Sequence, residues 1–298
     1  MIEQKFIDLF ANGAKVNLVV AERDVLLTYC LKIFEEENLL DKMALKGGTM
    51  LRKCILGRQA RFSLDLDFTY LERKEPDDVI LEIVSIFNRT YYDIRFTVEM
   101  KDFYVSNDKL SCGAKINYHH AWRKGFFEFD LSLREAPILP LVQFPLINQS
   151  YFKYLEFSPP LIKSFQLEEL LAEKIRATYQ RARARDVYDL ELYALKPLRL
   201  DVIRPLVVLK FWNVRSEFAP QRFFDNLQTS RYDWADLQDL ISRDRHIDHK
   251  RLLQRCLKRY KFLENLTDDE RSLLKDVKTH RKVNLRNKIV KELNTIFE

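Results

Sequence analysis

The spacing of apolar residues predicts helices and strands that alternate through the first half of this chain. Apolar residues recur at helical intervals over residues 3–12 and 21–40, and again from Pro76 to about Tyr91. Between and after these helices lie apolar runs that have the composition and length of strands. The predicted strands cover residues 43–45, 62–71, 94–100, 110–118 and 126–134.

The second half of the chain has a different pattern, since its apolar spacing is helical from about Ser164 to the end. Residues 136–163 contain five prolines and are predicted to be irregular, as a linker would be. We therefore expect an α+β fold, with a mixed sheet flanked by helices in residues 1–160 and a helical domain in residues 161–298. Helices of the second domain are predicted near residues 166–183, 186–195, 201–212, 233–243, 249–264, 268–279 and 283–297.

Composition narrows the class of protein. The 298 residues are 47% hydrophobic and 32% charged, which is typical of a globular protein with a sizeable core. The sequence has no run of eighteen apolar residues and no basic leader followed by an apolar stretch, so neither a membrane span nor a signal peptide is expected. The four cysteines are scattered without CxxC pairs, which favours reduced thiols. We expect a cytoplasmic monomer.

Positive charge is concentrated at the C-terminal end of the chain. The formal net charge is +6, yet residues 241–298 alone hold 16 Lys and Arg against 9 Asp and Glu. This asymmetry favours a polyanionic partner for the C-terminal helices. Solvated faces of ordinary helices are an equally good interpretation of the charge alone.

Two aspartates lie on one face of the predicted strand 62–71. Side chains alternate with period two, so Asp65 and Asp67 point to one side and their apolar neighbours to the other. Such a pair repels unless a cation lies between its members, and hard divalent cations take oxygen ligands. The structural alternative is an ion pair with a base such as Arg61.

Asp130 supplies a third carboxylate on the polar face of the predicted strand 126–134. Three carboxylates on strands are the donor set that two-metal chemistry needs. Asp65 and Asp67 would bridge two Mg²⁺ or Mn²⁺ ions, while Asp130 would complete the second site and help to deprotonate an attacking hydroxyl.

The turn Gly47-Gly48-Thr49 stands between the strand 43–45 and a helix predicted over residues 49–56. Gly48 permits a close approach of the backbone to a ligand, and Thr49 can cap the helix. A helix N-terminus attracts phosphate, so this turn is a candidate site for the triphosphate of a metal-bound nucleotide. Plain turn chemistry is the alternative.

A second group of candidates lies at the start of the helical domain. Lys174, Arg181 and Arg185 follow one another at intervals of seven and four, near one helical stripe, where they could grip triphosphate oxygens. The alternative is an ordinary ion-paired helix in which Arg185 and Asp189 form an i,i+4 pair.

Together these motifs resemble the AbiEii/AbiGii toxin family of the DNA polymerase beta-type nucleotidyltransferase superfamily. The resemblance is carried by Leu-Lys-Gly-Gly-Thr at residues 45–49, Arg-Phe-Ser-Leu-Asp-Leu-Asp-Phe at 61–68, and the helical blocks 169–177 and 181–190. The family usually has an acidic residue where this chain has Leu64. That residue is predicted on the opposite strand face from the paired aspartates, so metal binding should be unaffected.

The resemblance implies a nucleotidyltransferase fold, an NTP substrate and roles for particular residues. It assigns Lys174 to the nucleotide phosphates, and Asp189 together with Asp186 to orienting the lysine or the attacking group. The other positions that match the nucleotide-binding motifs are Gly47, Gly48, Thr49, Ser63, Arg185 and Asp186.

The resemblance also implies a biological role, that of a growth-arresting toxin in a type IV toxin–antitoxin or phage-defence (abortive-infection) system. Its partner would be an antitoxin encoded nearby. The expected acceptor is an RNA 3′ end, with a tRNA as first choice, docked on the basic C-terminal helices. Two alternatives stay open, a nucleotidyltransferase that modifies a protein or small molecule and a non-catalytic module that binds nucleic acid or a partner.

Overall fold

The structure is a computed structural model that describes residues 2–134 and 136–297. Its residues group into two compact units. The first, called here the sheet unit, comprises Met1–Ala136, Val142–Ser164 and Asp239–Asp244. The second, called the helical unit, comprises Pro137–Leu141, Phe165–Gln238 and Arg245–Glu298. The mixed sheet and the helical second half expected from the sequence are confirmed.

The sheet unit is built on one mixed sheet. Its strands are β1 (Met43–Lys46), β2 (Asp65–Tyr70), β3 (Thr90–Tyr91), β4 (Ile94–Thr97), β5 (Phe103–Val105), β6 (Ser111–His120), β7 (Arg123–Ser132), β8 (Val142–Pro145) and β9 (Leu161–Ser164). Among the described residues these nine strands lie in the order β3-β4-β6-β7-β2-β1-β9-β8, with β5 paired to β6. The central pair β2 and β7 is parallel, whereas β2 and β1 are antiparallel, as are β7 and β6.

The helices of the sheet unit include α1 (Gln4–Ala14), α2 (Leu18–Glu36), α3 (Gly47–Met50) and α4 (Pro76–Ile86). Of these, α2 packs on the apolar face of the sheet. The ring of Phe34 in α2 lies 5.8 Å from that of Phe68 and 5.6 Å from that of Phe129, and all three are buried. Burial of each such side chain stabilises the fold by about 1.5–3 kcal/mol. The opposite face of β2 and β7 is thereby left for polar residues.

The helix that follows the double glycine is unusual. It begins as α3 and continues as a π-helix over Leu51–Leu56, a rare form that is frequent at functional sites. This π-helix carries Arg52 and Lys53 to the buried carboxylate of Asp24 in α2. The Lys53 Nζ donates to the Asp24 backbone carbonyl at 2.7 Å and to Thr28 Oγ1 at 2.9 Å.

The prediction of a linker at 136–163 is wrong for its two strands, because β8 and β9 belong to the sheet. Leu45 of β1 pairs in parallel with Ser164, whose Oγ donates to the Leu45 carbonyl at 2.6 Å. Pro145 is tolerated because β8 is an edge strand. The helix predicted from Pro76 to Tyr91 ends at Ile86, since the chain then turns into β3.

The helical unit consists of helices packed through buried polar as well as apolar residues. They are α5 (Leu167–Gln180), α6 (Ala184–Tyr193), α7 (Leu200–Asn213), α8 (Pro220–Thr229), α9 (Trp234–Gln238), α10 (His249–Arg259), α11 (Asp268–Leu274) and α12 (Val283–Thr295). The buried carboxylate of Glu169 accepts from the backbone N–H groups of Ile138 and Leu139, both at 2.9 Å, and pairs with Lys210 at 2.7 Å. Of the helices in residues 2–134 and 136–297, none is long and apolar enough to cross a membrane.

Candidate active site

The predicted carboxylates of the sheet unit lie together on one face of the sheet. In the parallel register of β2 and β7, Asp67 is opposite Asp130 and Asp65 is opposite Glu128. Paired residues of adjacent strands point to the same side, so all four carboxylates share the polar face. Asp65, Asp67 and Asp130 are half-buried, and Glu128 is exposed.

Glu128 is a further candidate for the site that the sequence analysis did not assign. Partial burial and the neighbouring carboxylates of Asp130 and Asp65 raise its pKa, although Lys115 acts in the opposite direction. Its alternation with Asp130 was visible in the sequence. Its position opposite Asp65 was not, because the register of β7 on β2 joins residues that are about sixty positions apart.

Gly47 lies directly against the carboxylate of Asp67. Its φ of +72° is in the left-handed region, and a Cβ added there would overlap the Asp67 Oδ2. Glycine is therefore required both by the backbone conformation and by the closeness of the carboxylate. The double-glycine turn and the paired aspartates thus form one local site.

The two hydroxyls of the predicted nucleotide motif both contact Asp65. Thr49 Oγ1 donates to the Asp65 backbone carbonyl at 2.5 Å, and Ser63 Oγ donates to Asp65 Oδ1 at 2.6 Å. Gly48, Thr49 and Ser63 are all buried. In this arrangement Thr49 and Ser63 fix the main chain and side chain of Asp65, while Gly47 is the partly exposed residue of the turn.

Tyr104 is a second residue that sequence reasoning did not assign to the site. Its hydroxyl donates to Asp130 Oδ1, and its ring crosses Gly113, where an added Cβ would lie 2.6 Å from the Tyr104 Cε1. Burial, followed by the charges of Asp130 and Asp67, raises the pKa of Tyr104, so the phenol remains a donor. The short strand β5 places this ring, and a three-residue strand gives little periodic signal.

The donor set of this face fits a hard divalent cation. It is made of carboxylate oxygens, and burial together with the charges of Asp130 and Asp65 raises the pKa of Glu128 among them. Among the residues that the structure describes, no three His, Cys, Asp or Glu side chains converge in a preformed cage. Mg²⁺ is ordinarily held by one or two carboxylates together with water and substrate phosphates, so a full protein cage is not required.

In the helical unit, Lys174 is held between two aspartates of α6. Its Nζ lies 2.9 Å from Asp186 Oδ1 and 2.8 Å from Asp189 Oδ2, and Asp189 is 0% exposed. Burial by itself would raise the pKa of Asp186, but Lys174 and Arg181 outweigh burial and hold that pKa well below its usual range. The lysine is thus oriented by the two residues that match the family motif.

The prediction that Lys174, Arg181 and Arg185 fall near one helical stripe is wrong. Helix α5 ends at Gln180, and Arg181 has an extended backbone with φ −148° and ψ 149°. Arg181 turns back so that its Nε lies 2.7 Å from Asp186 Oδ2, whereas Arg185 Nε lies 2.8 Å from Asp236 Oδ2. The structure therefore brings Arg181 to Lys174 through their shared aspartate, and Arg185 has its carboxylate partner in α9.

A cavity of about 400 Å³ lies in the helical unit, away from these residues. It is lined by parts of α7, α11 and α12, among them Arg204, whose Nε donates to Glu270 at 2.8 Å. None of the predicted site residues lines it.

Comparison with solved structures shows the same fold in a toxin. The chain is similar to MenT4, a nucleotidyltransferase toxin from Mycobacterium tuberculosis, with a TM-score of 0.82 and 23% identity over 99% of this chain and 100% of MenT4. JHP933 from Helicobacter pylori matches with a TM-score of 0.47 and 17% identity over 90% of this chain and 98% of that protein.

Comparison of sequences gives the family. No curated protein matches the chain. The sequence model of the nucleotidyl transferase AbiEii toxins of type IV toxin–antitoxin systems matches residues 30–286. Because that match spans most of the 298 residues, the chain belongs to the AbiEii family of nucleotidyltransferase toxins.

Proposed function

We propose that this toxin transfers a nucleoside monophosphate from an NTP to the 3′ end of an RNA, with a tRNA as the first candidate. The observation that carries the proposal is the register of β2 on β7, which sets Asp67 opposite Asp130 beside Gly47. A type IV toxin has a cognate antitoxin, which would be this protein's partner.

The carboxylates of Asp65, Asp67 and Asp130 would hold Mg²⁺ or Mn²⁺ ions. When bound, such ions neutralise phosphoryl oxygens and make a hydroxyl more acidic. Ser63 and Thr49 keep Asp65 in place through their two hydrogen bonds. Gly47 is the partly exposed residue of the turn, so a phosphate would approach the backbone there, while the buried Gly48 packs against Arg61 and Ser63.

The proposed reaction is an in-line displacement at the α-phosphorus. The oxygen of the RNA hydroxyl forms a bond to that phosphorus while the bond to the bridging oxygen of the β-phosphate breaks. Pyrophosphate leaves with the electron pair, and the hydroxyl proton moves to the carboxylate of Asp130. Tyr104 donates to the same carboxylate and keeps it oriented during the transfer.

For Lys174 we propose a role at the phosphate oxygens, as its family motif implies. An ammonium fixed by Asp186 and Asp189 needs little reorganisation before it stabilises charge that develops on a phosphate. Arg185 is the remaining candidate of this unit. Its pairing with Asp236 would have to exchange for a contact with a phosphate.

The exposed cations of α10 support an RNA acceptor. On the outer face of this helix, exposed basic side chains stand next to one another in the last part of the chain. These residues are Lys250, Arg251, Arg255, Lys258 and Arg259. A basic face of this kind binds a phosphate backbone without reading its sequence, which suits recognition of a folded RNA.

The test is incubation of the purified protein with total cellular RNA, a protein extract and each α-³²P-labelled NTP in turn. We expect label at RNA 3′ ends with at least one NTP, and loss of that label when EDTA removes the divalent ions. Sequencing of the labelled RNA then gives the acceptor and the number of nucleotides added. Label in protein bands with none in RNA would contradict the proposal.

A further inference from the structure

The carboxylate face of the sheet continues beyond the acidic residues, over β7, β6 and β4. In the register of these strands, Lys115 is opposite Glu128, Lys124 is opposite His119, and His119 is opposite Arg95. Opposite residues share a face, and residues two apart along a strand share it too. The side chains of Arg95, Lys115, Lys124 and Phe126 therefore extend the face that bears Asp130. This surface is called here the β7 face.

Phe126 is the unusual member of the β7 face. It is 41% exposed, whereas Phe127 and Phe129 on the other side of the strand are buried in the core. The Lys115 Nζ lies 4.0 Å from the centre of the Phe126 ring, and the guanidinium carbon of Arg23 lies 5.6 Å from it. An exposed ring between two cations contributes little to the core, but it provides a surface on which a planar base can stack.

The two ends of the β7 face carry side chains of opposite charge. The end at β2 carries the carboxylates of Asp65, Asp67 and Asp130, and the other end carries Arg95 and Lys124. Within the described residues, no carboxylate forms an ion pair with either of these two exposed cations. The basic end can therefore bind a polyanion, while the acidic end is suited to metal ions and a reacting hydroxyl.

We infer that the β7 face binds the single-stranded 3′ end of the acceptor RNA, with one base stacked on Phe126 and phosphates beside Lys115 and Lys124. The inference rests on the proposed function, since a nucleotidyl transfer requires the terminal hydroxyl to reach Asp130. Phe126 precedes Asp130 by four positions on β7, so their Cα atoms are about 13 Å apart at the rise of a strand. A few nucleotides span that length.

The chemistry of the face favours a single strand over a protein partner. A protein-binding surface would present clustered aliphatic side chains, whereas the exposed rings of this face, Phe126 and Tyr104, stand among charged side chains. Exposed rings beside basic side chains are the arrangement by which single-stranded nucleic acids are bound.

The first measurement is the affinity of the full-length protein for a short fluorescent RNA with a free 3′ end, in Mg²⁺ and without NTP. Phe126→Ala should weaken binding by about five-fold or more, and Phe126→Trp should retain it, since each stacked base is worth about 1–3 kcal/mol. Lys124→Ala should also weaken binding. Matched controls are Leu81→Ala and Lys101→Ala, which remove exposed side chains elsewhere in the sheet unit and should bind as the unaltered protein does.

The second measurement locates the RNA directly. An RNA with a 3′-terminal 4-thiouridine is cross-linked to the protein by light, and the labelled peptide is identified. We expect cross-links within residues 111–132. Cross-links confined to other segments, or unchanged RNA affinity of Phe126→Ala, would overturn the inference. It would also be overturned if Phe126→Ala abolished the binding of another protein to this surface while RNA binding persisted.

These outcomes separate the inference from the proposed function. If cross-links fall on the β7 face but no NTP labels RNA, the surface is correct and the transfer reaction is wrong. If RNA is labelled equally well by the unaltered protein and by Phe126→Ala at limiting RNA, the transfer reaction stands and the surface is wrong.

Discussion

At the scale of single residues, the closeness of Gly47 to Asp67 gives a direct test of the candidate site. Gly47→Ala introduces a Cβ where Asp67 Oδ2 lies, and the positive φ adds strain of about 1 kcal/mol. We expect nucleotide transfer to fall at least ten-fold, while the melting temperature falls by a few degrees. The readouts are the rate of label transfer and thermal unfolding.

The control for this substitution is Gly13→Ala. Gly13 lies in α1, where an added Cβ meets no atom within 4 Å, so alanine should preserve activity and favour the helix. Equal activity of Gly47→Ala and Gly13→Ala would show that the Asp67 carboxylate has no part in the reaction.

The four carboxylates of the β7 face make a prediction about pH. In the folded protein the pKa of Glu128 is raised above its ordinary value of 4.5, because burial and the charges of Asp130 and Asp65 disfavour the ionised carboxylate. The free energy of unfolding therefore decreases as the pH rises through the raised pKa of Glu128. Above that pKa the ionised Glu128 destabilises the folded protein to its full extent. In EDTA, Glu128→Gln should raise the melting temperature at pH 7, and this gain should shrink towards zero at about pH 4.

The matched control is Glu99→Gln, which neutralises an exposed glutamate of the same unit that pairs with Lys101. It should give no gain at pH 7. If Glu128→Gln lowered the melting temperature at pH 7 in EDTA, Glu128 would be stabilised as an anion and the carboxylate cluster would be described wrongly.

The sequence predicted the face on which a residue lies where that signal is local. Asp65 and Asp67 follow from alternation within one strand, and Asp130 from alternation within another. Glu128 and Tyr104 entered the site only through the pairing of β7 with β2 and of β5 with β6. The pairing of distant strands depends on the whole sheet, so no single stretch of sequence contains it.

At the scale of elements, the π-helix after the double glycine is fixed by buried charges. Lys53 Nζ lies 3.3 Å from Asp24 Oδ1 and Arg52 Nε lies 3.6 Å from it, and all three side chains are buried. Asp24→Ala would leave two buried cations without this carboxylate, which should lower the free energy of unfolding by about 3–5 kcal/mol. Urea unfolding followed by circular dichroism measures it.

A second substitution distinguishes charge from packing. Adding Lys53→Met to Asp24→Ala removes one of the stranded cations and should restore part of the lost stability. If the double variant were less stable than Asp24→Ala by the full cost of Lys53→Met alone, the two residues would not be coupled. The turn at Gly47 would then not depend on this cluster.

Most long, periodic elements were predicted, although helix α8 was missed, and of the short strands β1 and β4 were predicted while four others were not. Helices α2, α5 and α7 and strands β6 and β7 have ten or more residues, enough to show a period. Strands β3, β5, β8 and β9 have two to four residues, and prolines in the surrounding segment concealed the last two. The break between α5 and α6 was predicted after residue 183 but begins at Arg181, because the side-chain pairing with Asp186 that accompanies it is not periodic.

At the scale of the whole molecule, we predict that the basic residues near the C-terminal end contribute to RNA binding. Replacing Lys258 and Arg259 of α10 by Gln removes two exposed cations without touching the core. RNA affinity should fall, and the slope of its logarithm against the logarithm of salt concentration should become shallower by about one to two. A salt titration of RNA binding measures both.

The control for α10 is Lys5→Gln, which removes an exposed lysine that pairs with Glu3 in the sheet unit. Its salt slope should equal that of the unaltered protein. Unchanged affinity and slope for the α10 variant would mean that the C-terminal charge serves solubility and not RNA binding.

The central claim is that the carboxylates of β2 and β7 carry out nucleotidyl transfer, and Asp67→Asn tests it most directly. The measurement is the rate at which labelled nucleotide enters RNA in Mg²⁺, compared between the unaltered protein, Asp67→Asn and the exposed control Asp41→Asn. We predict a loss of about 100-fold or more for Asp67→Asn at unchanged melting temperature, with full activity for Asp41→Asn. Transfer by Asp67→Asn at the rate of the unaltered protein would contradict the account.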